Sequence, residues 1–264
     1  MSRTARRPAC PGRFYPRSAT ELDRKVDEFL TSAEEPADAL PRAVIAPHAG
    51  YPFSGAVAGQ AFRRLAPFAD AVDRVVVIGP SHFVPVDGIA ASHHDSFETP
   101  LGGVAVDRES IGALVEAGLV ELDDEPHRRE HSLETHLPFL QKTLGEFELV
   151  PLVTGQDVDD LVARILVETW HDESTLVSVS SDLSHFLDYE TARQVDDRTR
   201  RAIEALDPDE IDDEQACGNT SIRGLLQVAA ERDLSPRTLA MCNSGDRGAD
   251  RDRVVGYGAW AFYD

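Results

Sequence analysis

The chain is 264 residues long and 42% apolar, enough to bury a sizeable core, and a single domain over residues 1–264 is expected. Its 47 acidic groups face 26 basic ones, 24 of them arginine, for a formal charge of −21. The acids are spread along the chain like the solvated shell of a protein from a salt-loaded cytoplasm, which argues against nucleic acid and anionic membranes as partners.

The first stretch, MSRTARRPACPGRFYP, is basic with no apolar run behind it, so it does not read as a signal peptide. Ser18 and Glu21 form a capping box, with Leu22, Val26, Phe29 and Leu30 at helical spacing, which predicts a helix over 19–31. The polar stretch TSAEEPADALP is a connector within the domain. Next, AVIAP reads as a buried strand, SGAVAGQAFRRLAPF as a helix with small residues for close packing, and RVVVIG as a second buried strand. This strand, helix, strand unit implies a parallel pair. Extended pieces near GIAASH and GGVAVD are followed by helices over 108–117 and 132–144 and a strand, ELVPLV. Asp157 and Asp160 are expected to cap a helix carrying Leu161, Ile165 and Leu166, and TLVSVSSD is the next strand. A helix over 190–205, a helix start at Asp207, Pro208 and Glu210, and a helix over 219–231 precede closing strands TLAMCN and VVGYGAWAF. No segment approaches the roughly 18 apolar residues of a membrane span. The fold class is α/β, with a mixed sheet between helical layers.

Ligands of open α/β sheets bind where strands end at their carboxyl edge. Three such ends carry ionisable groups: His48 after VIAP, His82 after VIGPS, and Asp182 with His185 in SSDLSH. A further cluster, His131, Glu134 and His136, lies in EHSLETHLPFL. Cys217 precedes a helix N-terminus, where the backbone dipole would favour its thiolate. His48 and His82 sit beside glycine or proline and can bind a divalent metal, with Cys217, Glu134 or Asp182 competing as third ligand. A carboxylate there suits non-haem Fe(II), and a thiolate shifts the preference toward copper. His93, His94, His127 and His171 read as surface or hydrogen-bonded histidines. Three cysteines are too few for a disulfide framework, which suits a reducing, cytoplasmic location, and Cys242 reads as a small buried hydrophobe.

Taken in order, GRFYP, VIAPHAGYPFSG, VIGPSHFVP, ETPLG, EHSLETHLPFL, SSDLSHF, ACGNTSIRGLL and VVGYGAWAF resemble the signature segments of the Memo-like protein family, from about residue 12 to 262. The resemblance implies a fold similar to the class III extradiol ring-cleaving dioxygenases, with His48 and His82 as metal ligands. It implies Cys217 where those dioxygenases carry a glutamate ligand, and His185 at the position of their acid/base histidine. Association with a radical S-adenosylmethionine enzyme and an AMMECR1-like protein is implied in the same way. The expectation that follows is a metal-dependent oxidoreductase using Fe(II) or copper, with His185 and Asp182 as catalytic groups and the substrate unspecified. The alternatives are a scaffold that recognises a peptide or partner enzyme in the same cleft, and a zinc hydrolase.

Overall fold

The computed structural model describes residues 4–33 and 39–264; residues 34–38 of the predicted connector lie outside the described residues. The first elements are β1 (Ala5–Arg6), α1 (Ala19–Thr31), β2 (Ala43–Ala46), α2 (Tyr51–Arg63) and β3 (Arg74–Pro80). There follow β4 (Ile89–Ala91), β5 (Ser96–Thr99), β6 (Gly102–Val106), α3 (Arg108–Glu116), β7 (Glu121–Leu122), α4 (Glu125–Arg129), α5 (Leu137–Leu144) and β8 (Glu148–Thr154). The chain closes with α6 (Asp159–Thr169), β9 (Thr175–Ser180), β10 (His185–Leu187), α7 (Tyr189–Glu204), α8 (Asn219–Glu231), β11 (Ser235–Asn243) and β12 (Val254–Tyr263).

The described strands form a mixed sheet in the order β1-β5-β6-β8-β3-β9-β2-β12-β10, with β11 also on β12, β4 on β8 and β7 on β4. Its centre, β8-β3-β9-β2, is parallel throughout. These four strands are rich in Val, Ile, Leu and Ala and almost wholly buried, as strands covered on both faces must be. The helices flank them: α1, α2 and α5 pack together with α2 against β2 and β12, while α6 and α8 pack together with α8 against β3 and β9. The buried apolar side chains form one cluster running from Cys10 to Tyr263.

The α/β reading holds, and Ser18 caps α1 by accepting from the Glu21 N–H as expected. Three local expectations are corrected. The helix expected over 132–144 begins only at Leu137, because Pro138 stands in its first turn, and proline tolerates no earlier helical turn behind it. Neither Asp157 nor Asp160 caps α6; the cap position is Val158, Asp157 has a left-handed backbone (φ 54°), and Asp160 lies inside the first turn. Asp207 starts only a single 3-10 turn, Pro208–Glu210. No described helix is long and apolar enough to cross a membrane.

Candidate metal centre

Because β2, β9 and β3 are adjacent and parallel, their carboxyl ends lie side by side, at Ala46, Ser180 and Pro80. Each chain then turns out of the sheet and presents a polar side chain at that edge: His48, Asp182 and His82. The loop between α4 and α5 adds His131. One ring nitrogen from each of His48, His82 and His131 lies within 4.8 Å of the others, and this is the group among the described residues able to hold a metal ion. Ring centroids are separated by 5.0 Å (His48–His82), 5.4 Å (His48–His131) and 4.6 Å (His82–His131).

Hydrogen bonding fixes how two of these rings present themselves. The Ser180 hydroxyl donates its only proton to the Ser132 carbonyl (2.6 Å), so at 2.8 Å from His48 Nδ1 it must accept. His48 is therefore protonated on Nδ1, and its Nε2 keeps a lone pair. Burial, and then the neighbouring His82 and His131, hold its pKa well below the ordinary value, so the ring is neutral. His82 Nδ1 donates to Glu130 Oε1 (2.9 Å), which also frees its Nε2. Glu130 accepts in addition from the backbone N–H groups of His82 (2.6 Å), His131 (2.8 Å) and Ser132 (2.9 Å). Burial opposes ionisation of Glu130, but its close contacts with His131 and His82 outweigh it and hold the carboxyl far below the usual range. His131 Nδ1 is buried 3.2 Å from Glu130 Oε1 yet has no hydrogen-bond partner, an orphaned ring nitrogen at the edge of the cluster. Phe14 packs against the His131 ring, 4.2 Å between centroids.

The remaining expected residues divide. Cys217 stands beside His48, with Sγ 3.4 Å from Nε2, outside the three-histidine group. The helix N-terminus does not give it a thiolate: burial, and then the Asp182 charge, push the thiol above its ordinary value. Asp182 braces the β2 end by accepting from the N–H groups of His48 (2.8 Å) and Ala49 (3.2 Å), and burial raises its carboxyl pKa. His185 opens β10 and is half-buried.

Glu134 and His136 face elsewhere. Glu134 is fully buried, paired with Arg6, and accepts from the Tyr15 hydroxyl and from the N–H groups of Ala9 (2.7 Å) and Cys10 (3.0 Å). It clamps the N-terminal segment rather than facing the cluster. His136 spends both nitrogens inside the sheet, on Ser178 Oγ (3.0 Å) and the Ala46 carbonyl (3.2 Å). Its Nε2 must donate to that carbonyl, which leaves Nδ1 to accept from the serine and no lone pair for a ligand. His127 donates to the Ala90 carbonyl, and His93 and His94 lie against Asp124. Cys242 is half-buried on β11.

A family model described as Memo-like protein matches residues 6–261. The chain belongs to the Memo-like family. Proteins of this family that resemble it include the MEMO1 family proteins of Aeropyrum pernix, 36% identical over 96% of this chain and 98% of theirs, and of Aquifex aeolicus, 32% over 96% and 97%. That of Methanothermobacter thermautotrophicus is 35% identical over 96% of this chain and 98% of its own. In this Memo-like chain Glu130, Ser180 and Ser132 are the polar residues that sequence reasoning missed. Glu130 had a signal, an acid directly before the histidine of EHSLETH; the two serines look like any others in a strand or turn.

Proposed function

We propose that the chain is a metal-dependent oxidoreductase in which His48 and His82 bind Fe(II) or copper through Nε2, with Cys217 and His131 as the neighbouring donors. The observation that carries this reading is the pair of Nδ1 anchors, Ser180 on His48 and Glu130 on His82, which turn the Nε2 atoms of both rings toward one cluster. Orienting a ligand histidine through its other nitrogen is how proteins fix such rings. The donor set fits the ion, since imidazole suits iron and copper and an adjacent sulfur favours the softer of them. When bound, the ion supplies Lewis acidity and one-electron redox chemistry. The buried Cys217 thiol would have to give up its proton to hold such an ion.

The chain's own residues do the rest. Asp182 holds the His48 backbone in place. His185, half-buried at the start of β10, exchanges a proton with substrate, a task suited to an imidazole. A radical S-adenosylmethionine enzyme and an AMMECR1-like protein are proposed as pathway partners.

Metal analysis after anaerobic purification tests the reading. The wild-type chain is expected to retain an ion that His48→Ala and His82→Ala lose while keeping their circular dichroism, and wild-type metal content in both variants ends the proposal. Oxygen uptake with catechol-type compounds, or with the radical enzyme's products, is expected to disappear in His185→Ala. Metal-independent partner binding without uptake would instead make the cleft a scaffold.

A further inference from the structure

In a chain this acidic, one groove is basic. It runs between the N-terminal segment and the β5–β6 hairpin, and Arg7, Arg13, Arg17, Glu98 and Pro100 lie along it. All three arginines are exposed, and none takes part in an ion pair among the described residues, whereas Arg6, Arg74, Arg200 and Arg223 each have a carboxylate. Among the described residues the only side-chain hydrogen bond of the three runs from Arg17 Nη2 to the Pro11 carbonyl (3.2 Å), within the same segment.

The backbone that carries them is held from behind. Glu134 accepts from the Ala9 and Cys10 N–H groups, the Gly12 N–H donates to the Tyr15 carbonyl (2.6 Å), and the Arg13 N–H donates to the Cys10 carbonyl (3.1 Å). Gly12 supplies the left-handed turn this needs (φ 80°), and Pro8 and Pro11 stiffen the rim. The backbone that carries the three arginines along the groove is thus set before any ligand arrives, which lowers the ordering cost of binding.

We propose that this groove binds a small molecule bearing a phosphate group, with Arg7, Arg13 and Arg17 as the donors. The volume, about 710 Å³, is that of a small-molecule site. Charge selects the ligand: three arginines against Glu98 leave two positive charges, which match a phosphate monoester of about −1.5 to −2 and exceed what one carboxylate neutralises. Guanidinium forks also fit phosphate oxygens in pairs. This inference does not depend on the metal-centre reading.

The test is calorimetric titration of the full chain with pyrophosphate at constant ionic strength. A single site is expected, weakened about ten-fold by Arg13→Gln and lost in the triple Arg7→Gln, Arg13→Gln, Arg17→Gln variant. Glu98→Gln is expected to tighten binding about threefold, a gain that damage to the fold does not produce. Absence of saturable heat at millimolar pyrophosphate overturns the proposal. Unchanged affinity in the triple variant does so too, by placing the anion on another surface, as does tighter binding of an acidic peptide than of pyrophosphate.

Discussion

Glu130 does for His82 what Ser180 does for His48, but with a charge. Its carboxylate accepts four N–H groups from one short stretch of loop and one strand end, so it sets both the ring's tautomer and the path of the backbone on either side. Glu130→Gln puts an amide among those donors and is expected to lower metal affinity roughly 10- to 100-fold, read by competition with a chelator. Glu134→Gln, four residues on, should do the reverse: it strands the buried Arg6, costing about 3 kcal/mol in urea unfolding, while metal affinity stays near wild type. Equal effects of the two variants on metal binding would contradict the separate roles assigned to them. At this scale His48 and His82 were legible because a buried strand that breaks at proline or glycine and shows an imidazole has few purely structural uses. Glu134 and His136 were misread because close spacing with His131 suggests a shared face, whereas a non-helical turn sends successive side chains in unrelated directions.

The elements show the same division between what periodicity reveals and what it hides. α8 was legible from end to end, since Ile222, Leu225, Leu226 and Ala229 recur at helical spacing and all are buried. The two- and three-residue strands β1, β7 and β10 are too short to carry any period, and they exist because neighbouring edges offer them hydrogen bonds. α8 also contains Gly224, whose helix cost is explained by its packing. A Cβ built there would lie 2.6 Å from Val162 Cβ on α6 and 2.8 Å from the Asp159 carbonyl. The two helices therefore touch at the glycine, and α8 is the element that follows Cys217. Gly224→Ala gains up to about 1 kcal/mol of helix propensity but overpacks the contact by roughly 1–3 kcal/mol. A lowered melting temperature is expected, partly restored by Val162→Ala in the double variant. A melting temperature above wild type would mean that the helices yield at no cost.

Across the whole molecule, acid should act through buried histidines before it acts on the carboxylate shell. Burial holds His127 and His136 down to about 4, against an ordinary 6.5. Unfolding in this window takes up protons that the native rings refuse, so stability falls as pH drops from about 6.5 toward 4. Asp196 works in the opposite direction. Burial pushes its carboxyl up to about 6, so the native state binds a proton there that the unfolded chain does not, and acid stabilises it over the same range. From about pH 7 to pH 5 each of these two histidines costs ~2 kcal/mol and Asp196 returns ~1 kcal/mol, so the three groups together contribute a net loss of about 3 kcal/mol in urea unfolding. His127→Gln should remove about half of the histidine contribution, whereas Asp196→Asn should steepen the decline. A His127→Gln curve that declines as steeply as wild type over this interval would show that the ring is charged in the native state.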